Sequence, residues 1–301
     1  MSMSQSQAIP TARPLDAVAS AIMVMLCLSW GFNQVAVKLA IPDIPPLMQA
    51  TIRSVGALAV ITIWAWLRRV PMTERDGTMW PGIVCGVLFA VEFILIYRAL
   101  VWTTASRAAL FLYTAPFFVA LGARWLLPGE RLLPSQWIGL ALSFIGLVVA
   151  FGVPSPDRYA LIGDAMMVGA GAFWGATTLV IKASALAKAP AEKTLAWQLA
   201  VSIPILAVAT LLVGERVDHA PGAVALSWLA YQTFWVVSIT FAIWFALVKR
   251  YSASRLAAFT FLTPLFGVAA GHVVMGDDLA PGFLIAVALV VTGLVLVNRP
   301  R

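Results

Sequence analysis

Charged residues are scarce in this chain of 301 residues, where Asp, Glu, Lys and Arg together make up 11%. A soluble domain carries about 25% charged residues. Hydrophobic residues make up 61%, and the mean hydropathy is +0.93. Because so little polar sequence cannot cover the surface of a globule, the composition excludes a soluble enzyme or binding domain. The chain is therefore predicted to be a polytopic membrane protein.

Reactive and metal-binding side chains are also few, with two cysteines and two histidines. Cys27 and Cys85 both fall within long apolar stretches, so we predict neither a disulfide nor a metal site. The phosphate-binding pattern Gly-x-x-x-x-Gly-Lys-Ser/Thr does not occur, and no nucleophile stands in a recognisable relation to a base. We expect no bound nucleotide, cofactor or metal, and no enzymatic activity.

Long uncharged runs dominate the sequence instead. Residues 17–37, 194–214 and 279–298 each lack charge over about the length that crosses a hydrocarbon core of roughly 30 Å. The alternating pattern of barrel strands is absent. We predict an all-α membrane protein with ten transmembrane helices, called spans 1 to 10 in chain order. The predicted spans cover residues 17–38, 47–67, 79–101, 105–124, 135–153, 160–184, 194–214, 222–247, 254–275 and 281–298.

The few charges are unevenly placed. A net charge of +7 would be compatible with nucleic-acid binding, but the basic residues follow the predicted topology instead. With the N-terminus in the cytoplasm, fourteen Lys and Arg residues lie on the cytoplasmic side and five on the opposite side. This is the positive-inside bias of membrane proteins, and it predicts that both termini are cytoplasmic. Residues 1–15 are then a cytoplasmic tail, and the following apolar run is too long for a signal peptide.

Two stretches of the chain nearly repeat each other. A Trp-Gly pair at Trp30 precedes Lys38 by eight positions, and another at Trp174 precedes Lys182 in the same way, 144 residues later. Three further matches follow in order at offsets of 147 or 148. They are Ala105-Ser106-Arg107 with Ala253-Ser254-Arg255, Gly129-Glu130-Arg131-Leu132 with Gly276-Asp277-Asp278-Leu279, and Gly146-Leu147-Val148 with Gly293-Leu294-Val295. Such an echo indicates two structural repeats, residues 16–153 and residues 157–301.

Each predicted repeat contains five helices. Because five is odd, the second repeat enters the membrane from the opposite side, and the two repeats are related by an axis in the membrane plane. Inverted repeats of this kind are typical of secondary transporters, which bind substrate near the midplane and alternate access around that site. The symmetry therefore predicts transport.

The repeated motifs also resemble a known family. The Trp-Gly…Lys opening of each half, the Ala-Ala…Pro helix and the Gly-Glu-Arg-Leu connector resemble the drug/metabolite transporter superfamily, in particular its ten-helix branch with two EamA-type repeats. The resemblance covers almost the whole chain, and within the branch the sequence is similar to bacterial amino-acid and metabolite exporters. It implies a central cavity lined mainly by spans 1, 3, 4, 6, 8 and 9. The second connector reads Gly-Asp-Asp-Leu, so its role need not mirror that of Glu130.

The repeated stripe supplies the first candidate substrate-binding residues. In span 1 it carries Trp30, Asn33 and Lys38, and in span 6 it carries Trp174, Thr177 and Lys182. The aromatic and polar members either line the cavity or pack between helices, and we expect the two tryptophans to meet across the cavity. Gly31 and Gly175 are expected to let another backbone approach closely. For the lysines, anchoring at opposite membrane interfaces is the favoured interpretation.

Two prolines lie in the middle of predicted spans, Pro116 in span 4 and Pro264 in span 9. Each frees a carbonyl four residues earlier, and we expect these breaks to bend during gating. A static kink is the alternative. Tyr113 and Thr260 lie about one turn before the two prolines, so both are candidates to offer hydroxyls to substrate.

Glu92 is the one carboxylate placed near the centre of a predicted span. An acid at this depth is costly, which favours a function as proton carrier or as partner for a substrate amine. The alternative is a structural ion pair with Arg53 or Arg98. Tyr97 and Trp244 lie deep in spans 3 and 8 and are candidates for an aromatic lining.

Together these features predict a bacterial inner-membrane exporter of small metabolites, with amino acids, aromatic and apolar ones included, as the expected substrate class. Its expected partners are a small-molecule substrate and the lipid bilayer, without nucleic acid or an obligate protein partner. A proton-coupled antiporter of drugs or of nucleoside- or sugar-type metabolites is the alternative. A channel would need rings of like groups, and a membrane-embedded lipid enzyme would need several converging polar groups in a span.

Overall fold

The computed structural model describes residues 15–127, 129–152 and 158–299. Within these residues, nine helical stretches are long and apolar enough to cross a membrane, and Phe283–Asn298 is a shorter apolar helix that completes ten spans. The predicted cytoplasmic tail, residues 1–15, lies almost entirely outside the described part. The predicted all-α architecture is confirmed.

The ten spans follow the predicted ones closely. The helices are Ala17–Ala40 (span 1), Pro46–Leu67 (span 2), Met79–Ala99 (span 3), Ala105–Leu112 and Ala115–Leu126 (span 4), Pro134–Phe151 (span 5), Arg158–Ala183 (span 6), Ala191–Val213 (span 7), Ala223–Ala230, Tyr231–Thr240 and Phe241–Arg250 (span 8), Ala253–Phe259 and Leu262–Met275 (span 9), and Phe283–Asn298 (span 10). Local signals explain several ends. Asp16 caps span 1 by accepting a hydrogen bond from the Ala19 amide at 2.7 Å. Span 9 ends at Gly276, whose φ of 74° is a conformation that glycine adopts without steric cost.

Three spans are not continuous α-helices. Span 4 is interrupted at Tyr113 and Thr114, just before Pro116, and span 9 is interrupted at Thr260 and Phe261, just before Pro264. Each proline lacks the amide N–H that would continue the hydrogen-bond ladder of the helix. Since the two prolines are repeat-related, the breaks occupy equivalent positions in the two repeats. Span 8 contains a π-helical segment over Tyr231–Thr240, which the sequence pattern does not indicate.

Contacts at the span ends fall into two groups, one on each side of the bundle. We call the face at which span 1 begins the inner face and the opposite face the outer face. At the inner face, Tyr251 donates to Asp16 at 2.7 Å and Lys193 bonds Asp76 at 2.9 Å. At the outer face, the Gly222 amide donates to Asp43 at 2.6 Å.

The packing of the spans follows the inverted repeat. Spans 5 and 10 pack together, as do spans 2 and 7, and each of these pairs joins equivalent helices of the two repeats. Span 1 packs on the second segment of span 9, and span 6 packs on the second segment of span 4 in the equivalent way. The first and second repeats are thus interleaved in one bundle.

The repeated glycines mark these equivalent contacts. A Cβ added at Gly31 would lie 2.7 Å from the Thr263 carbonyl oxygen and from the Gly267 nitrogen. A Cβ added at Gly175 would lie 3.5 Å from the Ala115 carbonyl oxygen, which is the repeat-equivalent neighbour. The expected close approach of backbones is therefore present at both sites, and it is tighter at Gly31.

Candidate functional site

A column of aromatic rings runs between spans 1, 3 and 8. It consists of Tyr97, Phe93, Phe89, Phe241, Trp30 and Trp244. Successive ring centroids lie between 4.7 Å, for Phe89 and Phe93, and 6.3 Å, for Trp30 and Phe241. We call these six residues the aromatic column. Since span 8 belongs to the second repeat, the column joins both repeats.

Hydrogen bonds between spans 1 and 8 hold the column in place. The Trp30 indole N–H donates to the Thr240 hydroxyl at 2.9 Å, and the Trp235 indole N–H donates to the Ser29 hydroxyl at 3.0 Å. Trp235 and Thr240 both lie in the π-helical segment of span 8. The wider turn of a π-helix is a frequent feature of functional sites in membrane and soluble proteins alike.

An arginine and a glutamate flank the column. Glu92 is 8% exposed and precedes Phe93 on span 3. Arg53 on span 2 is 2% exposed, and its Cζ lies 4.7 Å from the centroid of the Phe93 ring. The charge of Arg53 acts electrostatically on Glu92. The ion pairs within 4.0 Å in the described part of the chain join other residues, so the predicted structural pair of Glu92 with Arg53 or Arg98 is not formed.

A second polar cluster lies at the inner face. The Glu130 carboxylate pairs with Lys182 at 2.7 Å and accepts a hydrogen bond from the Ala253 amide at 2.7 Å. The Lys182 ammonium also donates to the Tyr251 carbonyl oxygen. We call Glu130, Lys182, Tyr251 and Ala253 the inner clamp. It ties the connector of spans 4 and 5, the end of span 6 and the start of span 9 together.

Asp16 extends the inner clamp to span 1. Hydrogen bonds from the Ala19 amide and then from the Tyr251 hydroxyl hold the pKa of Asp16 below its ordinary value. At the outer face, the Thr103 hydroxyl donates to Asp164 at 2.8 Å and joins the connector before span 4 to the first half of span 6. Arg107 forms a buried ion pair with the same carboxylate.

Comparison with known proteins decides the family. Residues 18–152 and 161–299 each match the EamA-like transporter family. The chain belongs to this family. Its membership in the drug/metabolite transporter superfamily, expected from the motifs, is thereby confirmed. Family and relatives point to a transporter rather than an enzyme.

Relatives match this EamA-like transporter along nearly its whole length. It is 26% identical over 286 residues to a "Probable amino-acid metabolite efflux pump" of Salmonella typhimurium, covering 91% of this chain and 92% of that protein. It is 25% identical over 288 residues to an uncharacterised transporter of Bacillus subtilis, covering 92% and 90% of the two chains. A solved crystal structure has the same fold, with a TM-score of 0.78 at 18% identity and coverage of 93% of this chain and 96% of that one.

Among the predicted site residues of the transporter, Trp30, Tyr97 and Trp244 are brought together in the aromatic column, beside Glu92. Trp174 instead packs on Tyr113, with ring centroids 5.9 Å apart. The aromatic contacts described here therefore give the two repeat-related tryptophans different ring partners. The idea that they meet across the cavity stays a prediction.

The remaining predicted residues are buried. Asn33 is 9% exposed and its Oδ1 has no hydrogen-bond partner among the described residues. The Thr177 and Thr260 hydroxyls donate to carbonyl oxygens of their own helices, those of Phe173 at 3.0 Å and Ala257 at 2.6 Å. Pro116 and Pro264 are buried at the helix breaks. Their roles in binding and gating stay predictions.

One expectation about the repeated lysines is wrong. The Lys182 side chain is not an exposed anchor at the membrane interface, because it is only 10% exposed and forms an ion pair with Glu130. The partner lies 52 positions earlier in the sequence, and no local pattern indicates such a contact. Lys38, in contrast, is exposed as expected of an anchor.

The sequence patterns used above did not single out three rings of the aromatic column, Phe89, Phe93 and Phe241, or the charge of Arg53. Phe89, Phe93 and Tyr97 recur at four-residue spacing on span 3, which places them on one helical stripe. This spacing was a usable signal. Arg53 was considered only as a partner for Glu92, and Phe241 carries no pattern of its own.

Proposed function

We propose that this EamA-like transporter exports amino acids, aromatic and apolar ones included, from the cytoplasm across the bacterial inner membrane by alternating access. In this proposal the inner face is cytoplasmic, in agreement with the excess of Lys and Arg predicted there. The relatives named as probable amino-acid metabolite efflux pumps support the direction and the substrate class.

The observation that carries the proposal is the aromatic column beside Glu92. Six ring faces and edges offer a surface for an aromatic or apolar side chain, and each aromatic contact contributes about 0.5–1.5 kcal/mol. The Glu92 carboxylate complements a substrate ammonium group. The column spans both repeats, so that rocking one repeat against the other changes which face the site reaches.

The test is transport by the purified protein in liposomes with a panel of labelled amino acids, with and without a proton gradient. Saturable uptake that is accelerated by unlabelled substrate on the opposite side is expected. Ohmic current without saturation would instead indicate a channel, and formation of a new product would indicate an enzyme.

A proton-coupled antiporter is the second candidate function, because Glu92 is a buried acid beside the column. A Glu92→Gln variant distinguishes the two. Loss of dependence on the proton gradient with transport retained would assign proton coupling to Glu92. If the wild type transports substrate at the same rate whatever the proton gradient, this supports facilitated export.

A further inference from the structure

Arg53 is a buried cation with an unpaired guanidinium nitrogen among the described residues. It lies in the second turn of span 2, 2% exposed, with its guanidinium over the Phe93 ring. Among the residues that the structure describes, its Nε has no hydrogen-bond partner. A buried charge whose donors are not all paired is strongly unfavourable, so the described residues leave room for a further partner of this guanidinium.

The surroundings of Arg53 indicate the chemistry of that partner. The Arg53 guanidinium lies over Phe93, and Glu92 precedes Phe93 on span 3. Glu92 is also buried, and it takes part in none of the ion pairs in the described part of the chain. The site therefore offers one guanidinium and one carboxyl group, both within spans, beside the rings of Phe89, Phe93 and Tyr97.

Resting on the proposed function, we propose that Arg53 binds the carboxylate of a zwitterionic amino acid, whose ammonium group faces Glu92 and whose side chain lies along the aromatic column. A guanidinium presents parallel N–H donors that match a carboxylate in two hydrogen bonds. An amine without a carboxylate leaves Arg53 unpaired, and a carboxylic acid without an amine leaves Glu92 unpaired. Both analogues are rejected because a buried group left without its partner is costly.

The experiment uses three probes that share one ring: phenylalanine, phenethylamine and 3-phenylpropionate. Transport of each is measured in liposomes containing the full-length wild type, Arg53→Gln or Arg53→Lys. For the wild type, phenylalanine is transported at least about tenfold better than either analogue. In Arg53→Gln, phenylalanine transport falls about 10- to 100-fold while phenethylamine transport is unchanged, so that discrimination disappears. Arg53→Lys keeps the charge but loses the two-pronged geometry, and it gives an intermediate ratio.

Arg98→Gln is the matched control, because it removes a half-buried guanidinium from the outer end of span 3. It retains the wild-type ratio of phenylalanine to phenethylamine. Monodispersity and thermal unfolding verify the fold of each variant, and Arg53→Lys carries the test if Arg53→Gln does not fold. A wild type that transports phenethylamine as well as phenylalanine, or an unchanged ratio in both Arg53 variants, would overturn the inference while leaving an exporter. A wild type that transports none of the amino acids in the panel would overturn the proposed function itself.

Discussion

Two deeply buried cations of this transporter have opposite environments. The Lys193 ammonium, 1% exposed, donates to the Glu74 carbonyl oxygen at 3.0 Å and to the Asp76 carboxylate at 2.9 Å. Arg53 has an aromatic ring but no charged partner within ion-pair distance among the described residues. A buried charge with a structural role is normally fully paired, as Lys193 is. An unpaired buried charge beside a column of rings is instead suited to binding a ligand.

The Lys193 contact yields a prediction about pH. Hydrogen bonds from the Thr78 hydroxyl and then from Lys193 lower the pKa of Asp76 from 3.8 to about 2. Because the folded-state pKa is below the unfolded one, the contribution of Asp76 to stability is present above about pH 4 and is lost as the pH falls toward 2. In Asp76→Asn, the melting temperature in detergent is lower than in the wild type at pH 6, and the difference shrinks as the pH approaches 2.

Asp218→Asn, at an exposed position in the connector of spans 7 and 8, is the matched control and leaves the melting temperature near the wild-type value at pH 6. A difference between Asp76→Asn and the wild type that stays constant from pH 6 to pH 2.5 would contradict the role given to this carboxylate.

At the scale of helices, close packing between spans 1 and 9 depends on the lack of a side chain at Gly31. An alanine at Gly31 forces its Cβ to within 2.7 Å of backbone atoms of span 9, which cannot move without the helix. At Gly175 the nearest atom is the Phe118 Cβ at 3.0 Å, and the nearest backbone atom is the Val119 nitrogen at 3.3 Å. The two positions are repeat-related, so each serves as the control for the other.

Gly31→Ala is expected to destabilise the protein by about 1–3 kcal/mol, as overpacking in a tight core does. Gly175→Ala is expected to be nearly neutral, because the higher helix propensity of alanine, about 1 kcal/mol, offsets a milder contact. Thermal unfolding in lipid nanodiscs measures both. Equal melting temperatures for the two variants would show that the inter-helix distance at Gly31 does not limit packing.

The broken helices give the second prediction at this scale. Pro264 prevents span 9 from continuing across Thr260 and Phe261. If this break bends during gating, Pro264→Ala joins the two segments and slows exchange between the two conformations by about tenfold or more. Counterflow rates in liposomes measure exchange, with Pro281→Ala, in the connector before span 10, as the control. Rates like those of the wild type at matched protein levels would indicate a static kink.

Helices and repeats were predictable from the sequence because the bilayer allows few alternatives. A backbone in hydrocarbon must satisfy its own hydrogen bonds, so an apolar run of sufficient length becomes a helix. The echo of Trp30 and Trp174 then indicated the inverted repeat. The π-helical segment of span 8 was not predictable, because nothing in its composition separates it from an α-helix. Nor was the contact of Glu130 with Lys182, which depends on how distant spans pack.

At the scale of the whole molecule, the two membrane ends are not equivalent although the repeats are. Every residue from 252 to 265, the inner half of span 9, is buried. In the repeat-equivalent stretch of span 4 at the outer face, Thr104 is exposed and several side chains among residues 107–117 are half-buried. The inner clamp is formed, whereas its outer equivalents Lys38 and Asp277 are both exposed. We interpret this asymmetry as that of a conformation whose inner end is closed.

The inverted repeat then predicts what the opposite conformation looks like. By the repeat offsets, Lys38 corresponds to Lys182 and Asp277 corresponds to Glu130. If the two conformations exchange the roles of the repeats, Glu130 and Lys182 separate while Lys38 and Asp277 approach each other. The two pairs form alternately, and both cannot be closed while substrate passes. The prediction is tested with paired cysteines in a background where Cys27 and Cys85 are replaced by alanine.

Cross-linking with a short bifunctional thiol reagent gives the measurement. We expect Glu130→Cys with Lys182→Cys to cross-link, because the two positions adjoin when the inner end is closed. The cross-link is expected to stop transport because it holds the inner end shut. Lys38→Cys with Asp277→Cys is expected to cross-link slowly, and several-fold faster when Lys182→Ala weakens the inner clamp. The single-cysteine variants are the controls and retain transport after treatment. Cross-linking of both pairs at once in the same molecules, or an outer rate that Lys182→Ala leaves unchanged, would show that the two ends do not alternate.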